Sequence, residues 1–102
     1  MAFLSDVVPA AFERTLTATA HGFERDLRQA WPGATGSAAE RSFAVEAGGC
    51  VLHIDIEPAG VRRLGLFELP QLIARYRFLR GDEADRRDLL RRLDRAMQKG
   101  GG

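Results

Sequence analysis

A chain of 102 residues, 45% hydrophobic and carrying one cysteine, fits a single domain that buries its core without an intramolecular disulfide. A net charge of +1 is too small to mark a nucleic-acid or membrane-surface binder by itself. No apolar run approaches the roughly 20 residues a bilayer-spanning helix needs. The N-terminus lacks the basic-then-apolar pattern of a secretory leader, so a cytoplasmic location is expected. The charge is nonetheless uneven: residues 1–60 hold 4 basic and 8 acidic side chains, and residues 61–102 hold 11 and 6. Of the basic residues 14 are Arg and 1 is Lys, which together with the Ala and Gly content reads as the codon usage of a GC-rich, bacterial genome.

Residues 1–10 read as an N-terminal arm, interrupted by Pro9, with Phe3, Leu4, Val7 and Val8 available to tuck it onto the body. The next segment supports two readings. Glu13, Thr15, Thr17 and Thr19 alternate with Phe12, Leu16 and Ala18, as in a strand. Phe12, Leu16, Ala20, Phe23 and Leu27 also fit one long helix over 10–31. Three β-branched threonines and Gly22 weaken that helix, so a strand at 11–18 and a helix near 20–31 are preferred, the helix ending at Pro32-Gly33. Residues 33–40 read as a loop of small residues.

Arg41–Ala47 and Cys50–Glu57 alternate around Gly48-Gly49, a two-residue hairpin signal. That loop pairs Val45 with Leu52 and Phe43 with Ile54, so turn and apolar parity specify one register. Pro58-Ala59-Gly60 predicts a second hairpin with Gly60 left-handed. It would set Ile54 against Leu64, Leu52 against Leu66, and Asp55 against Arg63 on the outer face. A third reversal at Leu69-Pro70-Gln71 leads to a strand over 72–80. Asp82 is a natural N-cap for a helix over 82–98, whose apolar stripe is Leu89, Leu90, Leu93, Ala96 and Met97. Gly100 is expected to stop it, leaving 99–102 as a flexible tail.

The result is one α+β domain over 1–102 in the order β-α-β-β-β-β-α, an antiparallel meander with both helices on one face. In element order alone it resembles the TATA-binding-protein-like fold and, more loosely, the helix-grip domains. No motif of either family is matched, so no functional residue carries over. Gly100–Gly102 is similar to the di-glycine tail of ubiquitin-like sulfur carriers, but it follows a helix where theirs follows a strand, and it reads as helix termination.

Candidate functional residues fall on the outer sheet face. His53, Asp55 and Glu57 share one side of a strand and are candidate ligands for Zn²⁺, Mn²⁺ or Fe²⁺, or an acid–base site. Alternating polar residues on a half-exposed strand explain them equally well, so neither a metal nor another cofactor is assigned. Arg63, Arg75 and Arg77 could grip a phosphate or carboxylate. Phe67 is the one aromatic beside them, where single-strand binders show several, and nucleic acid is the third-ranked partner. Cys50 reads as a buried thiol and Trp31 as core-edge packing. The Arg-rich last helix reads as a solvated face laced by pairs such as Arg91–Asp94. No catalytic signature stands out. The leading expectation is a non-enzymatic module that self-associates or binds another protein through the outer face, with no membrane partner. Its rival is an anionic-ligand or metal-dependent site around His53, Asp55, Arg63 and Arg75.

Overall fold

The computed structural model describes residues 7–101. Along the chain run β1 (Ala11–Thr17), α1 (Ala20–Ala30), β2 (Thr35–Ser37), β3 (Ser42–Ala47), β4 (Cys50–Leu64), β5 (Phe67–Arg80) and α2 (Glu83–Gly101). The strands form one antiparallel sheet in the order β1-β5-β4-β3-β2. The class is α+β.

β1 is a strand, and what separates it from α1 is a cap. Thr19 is extended and its hydroxyl accepts the Gly22 N–H at 2.9 Å, which starts the helix at Ala20 and prevents its growth backward. The Trp31 N–H closes α1 on the Leu27 carbonyl. Asp82 caps α2 as expected. Its carboxylate accepts the Asp85 N–H at 2.9 Å while the Asp85 carboxylate accepts the Asp82 N–H at 3.2 Å, a reciprocal capping box. α2 then runs through Gly100 to Gly101; glycine weakens a helix by about 1 kcal/mol without forbidding its backbone angles.

Inward parity builds the core. Phe43, Val45, Leu52, Ile54, Leu72, Ala74, Tyr76 and Phe78 of the sheet pack against Phe23 and Leu27 of α1 and Leu89, Leu90 and Leu93 of α2. Both helices therefore lie on one face. Val8 joins this core, with its carbonyl held by Arg86 Nε at 2.9 Å, so the described end of the arm turns toward the helices. Val7 is exposed, and Phe3 and Leu4 lie outside the described residues.

The hairpin at Gly48-Gly49 has the expected register, Val45↔Leu52 and Phe43↔Ile54. The one expected at Pro58–Gly60 is absent. β4 continues to Leu64, and the chain reverses at Gly65-Leu66, with Leu64 opposite Phe67. Gly65 has φ 62°, the positive value that a two-residue type II′ loop requires of its first residue. Gly60 is indeed left-handed, at φ 83°, but it serves a β-bulge: Pro58 faces Leu72 while Val61 faces Pro70, leaving one extra residue on β4. Three expected pairs fall with the hairpin. Ile54 faces Tyr76, Leu52 faces Phe78, and Asp55 faces Arg75 rather than Arg63. Leu64 and Leu66, placed in the core by the sequence, are exposed. The expected reversal at Leu69–Gln71 is also absent, because β5 runs straight through it.

Residues 33–40 contain β2, which the sequence reads as loop. Gly36 has φ 98°, and a Cβ there would lie 2.0 Å from the Ser42 carbonyl oxygen, so only glycine lets β2 approach β3 this closely. Arg28 and Glu24 of α1 hold the segment: Arg28 donates to the Ala34 and Gly36 carbonyls, and Glu24 accepts the Ala38 N–H at 2.6 Å. That N–H and Arg28 hold the Glu24 carboxyl below its ordinary range.

Candidate functional site

The register decides which sequence-derived candidates meet. On β4, His53 lies opposite Ala44 and Arg77, and Asp55 opposite Ser42 and Arg75. Arg75 reaches across both of its neighbours, 2.9 Å from Glu57 on β4 and 3.3 Å from Glu13 on β1. His53, Asp55, Glu57, Arg75 and Arg77 thus share the outer face of two adjacent strands, with Glu13 beside them on a third. Arg63 does not join them. It is eight residues beyond Asp55 on the same strand, about 26 Å at the usual rise, and pairs with Glu68 at 3.2 Å. Phe67 is beside it. No group of three His, Cys, Asp or Glu side chains among the described residues is placed to share a metal ion, and Glu57 is engaged by Arg75.

Arg63 and Phe67 belong to a second feature. β1 pairs with β5 only from Gln71 to Arg77, and β3 pairs with β4 only from Cys50 to Asp55. Among the described residues, 58–69 are therefore a two-stranded ribbon with no strand paired to either edge. Apart from the half-buried Leu69, its large apolar residues face water: Leu66 is 102% exposed, Phe67 69%, Val61 57% and Leu64 53%. By strand parity Leu64, Phe67 and Leu69 continue the outer sheet face, where Ile73 is half-buried and Leu79 exposed.

At the root of the ribbon, on the helix side, lies a cleft of about 210 Å³ between β1, the start of α1 and the end of α2. Leu16, Ala18, Phe23 and Met97 give it apolar walls, and Arg14, Asp26, Tyr76 and Asp94 line it too. Arg14 and Asp94 form a two-pronged ion pair, with Nη1–Oδ1 at 2.8 Å and Nη2–Oδ2 at 3.0 Å. The guanidinium lies 5.4 Å from the Phe12 ring centre and 5.3 Å from that of Tyr76, and the two rings stack at 4.9 Å. Burial by itself would lower the Arg14 pKa, but the Asp94 hydrogen bond and charge outweigh it and hold the group above its ordinary value. Asp26 is buried and accepts from Arg25 Nε at 3.1 Å.

Asp94, expected among the pairs of a solvated helix face, reaches Arg14 on β1. The signal was present in the sequence. Arg14 shares its parity with Phe12 and Leu16, and Asp94 is flanked on the stripe by Leu90, Leu93 and Met97. A charge of each sign on two apolar faces asks for a mate.

Burial raises the Tyr76 hydroxyl to about 12, partly opposed by the Arg14 charge. Tyr76 is the only tyrosine, so tyrosinate absorbance reads it alone. A midpoint near 12 is expected in the folded protein, against about 10 in denaturant. The folded state keeps a proton that the unfolded state releases. This contribution to stability is therefore intact below about pH 10 and is lost as pH rises through about 12. A folded midpoint at the denatured value would show the hydroxyl open to water.

Cys50 is buried beneath Gly81, and burial raises its thiol, as befits packing rather than nucleophilic chemistry. Trp31 sits at the core edge with Arg92 over its ring at 4.6 Å. No helix among the described residues is long and apolar enough to cross a membrane. No protein-family model matches the chain, and no curated protein matches it in sequence.

Proposed function

We propose that this chain is a non-enzymatic interaction module that self-associates through the projecting ribbon and the outer sheet face continuous with it. The observation carrying this reading is the exposure of Leu64, Leu66 and Phe67 on a ribbon to which no other strand of the described chain pairs at either edge. Burying each such side chain is worth roughly 1.5–3 kcal/mol, and apolar groups clustered on a projection mark contact sites. Arg62, Arg75 and Arg77 fit such an interface, where arginine and aromatics are enriched and lysine is rare. The polar side chains of the outer face support this reading over a metal or acid–base site, because Arg75 ties Glu57 and Glu13 into a strand-bridging ion network.

Sedimentation of the chain at micromolar concentration tests the proposal, with Phe67→Glu as the probe. The unaltered chain is expected to sediment as a dimer and the variant as a monomer of unchanged fold, a loss of 2 kcal/mol or more for a central aromatic, on the order of 30-fold in Kd. A monodisperse monomer for the unaltered chain ends the reading.

A further inference from the structure

Among the described residues, the ribbon is a knob without a socket, and the cleft at its root is a socket without a knob. They sit at the same end of the molecule. Thr17, on the cleft rim, pairs with Gln71, and the Ala18 N–H donates to the Pro70 carbonyl at 3.0 Å, where the ribbon leaves the body. A chain cannot seat its own knob. β5 runs unbroken from Phe67 to Arg80, so Leu66 is carried about 16 Å past Gln71 and away from the cleft.

We infer that the socket takes the ribbon tip of a second copy of this chain, reciprocally, so that two ribbons cross about a two-fold axis and each tip lies in the other's cleft. This inference rests on the self-association proposed above and names its acceptor. Two-fold geometry accounts for the placement: antiparallel ribbons of equal length bring each tip to the other's root, and the contact closes at two copies without propagating into a fibre. Size and chemistry agree. A cleft of about 210 Å³ has room for one large apolar side chain, and its walls of Leu16, Ala18, Phe23 and Met97 suit Leu66 or Phe67. Charge agrees as well. Beyond the Arg14–Asp94 pair the cleft carries the carboxylate of Asp26, and beyond the Arg63–Glu68 pair the approaching ribbon carries Arg62. Among the described residues Arg62 has no ion-pair partner, and Asp26 has only the exposed Arg25. Pro58 and Pro70 stand on the two strands at the root of the ribbon and discourage extension of the sheet by backbone pairing, which leaves side-chain docking as the mode of contact. One tip in one cleft is small beside the roughly 1,200 Å² that stable interfaces bury, and reciprocal use doubles it.

The test uses the full chain with Cys50→Ala as background. One preparation carries Leu66→Cys and the other Ala18→Cys. Mixed under mild oxidation, they are expected to give a disulfide-linked heterodimer, with far less cross-linking in either preparation alone. In parallel, Ala18→Leu fills the cleft from within and leaves the ribbon untouched. It is expected to weaken the dimer at least tenfold in Kd with no fall in melting temperature. Two results would overturn the inference while sparing the proposed function: Leu66→Cys chains linking to one another instead, or a dimer abolished by Phe67→Glu yet unmoved by Ala18→Leu. A chain that stays monomeric, or that binds anionic phospholipid vesicles through Phe67 without dimerising, removes both.

Discussion

Replacing Asp94 with alanine is expected to cost about 3 kcal/mol of unfolding free energy, the low end for a broken buried ion pair. The Arg14 side chain is 9% exposed and Asp94 31%, so water reaches one partner and not the other. Without Asp94 the guanidinium remains between Phe12, Tyr76 and α2, and it cannot shed its proton at any ordinary pH. Its charge then keeps the Tyr76 hydroxyl and the aromatic rings, which replace only part of the lost pair. For a domain of this size the change corresponds to a fall in Tm on the order of 10–20 °C. The double variant Arg14→Met with Asp94→Leu is expected to recover most of that loss, because a buried pair gains little over well-packed apolar side chains. Thermal unfolding of the three proteins decides. A single-variant loss below about 1 kcal/mol would place the pair in the class of screened surface bridges.

What could be read from the sequence was local. The Gly48-Gly49 hairpin was legible because the two glycines sit between two runs whose parities agree, so one short stretch carried all the information. The helix at 82 was legible from the Asp82 cap and the apolar stripe that follows it, and the long-helix alternative at 10–31 lost to a single threonine cap. The second hairpin was not legible, and the reason is physical. Pro58-Ala59-Gly60 offers a left-handed glycine, and left-handed glycines serve bulges as well as turns. Either choice sets apolar residues opposite Leu52 and Ile54. Only the whole core separates them, because the longer hairpin places Tyr76 and Phe78 beside β4 and under the helices. The true turn put a leucine at its tip, where local rules expect a polar residue.

The same relocation explains what was and was not visible of the candidate site. Phe67 and Arg63 were both picked from outer-face parity; both are exposed on the ribbon and neither is beside Asp55, but only Phe67 keeps the outer face, because the bulge after Pro58 turns Arg63, opposite Glu68, to the other one. The cleft was invisible, because it is assembled from residues as far apart as Arg14 and Gln98. What the sequence did contain was the pair of misplaced charges, Arg14 among inward apolar residues of β1 and Asp94 in the stripe of α2. Patterned sequences place charge on such faces for a reason, and here it anchors the last helix to the sheet edge.

Two leucines make the relocation measurable. A hairpin turning at Pro58–Gly60 would set Leu52 opposite Leu66 in one core, and truncating either would then cost a similar amount. In the structure Leu52 is fully buried between β3 and β5, and Leu66 stands at the ribbon tip, 102% exposed. Leu52→Ala removes three carbons from a site with no slack, since Val45 and Phe78 oppose it and both are buried. The expected cost is about 3–5 kcal/mol, the transfer of the lost atoms plus the cavity they leave. That is a large part of the stability of a domain this small, so the variant is expected to be partly unfolded at physiological temperature. Leu66→Ala removes the same atoms from water and is expected to change stability by less than about 0.5 kcal/mol. Its effect falls instead on association, where the tip is the contact. Urea unfolding at a protein concentration low enough to keep the chain monomeric separates the two quantities. A fall of several kcal/mol for Leu66→Ala under those conditions would return Leu66 to the core and the turn to Pro58–Gly60.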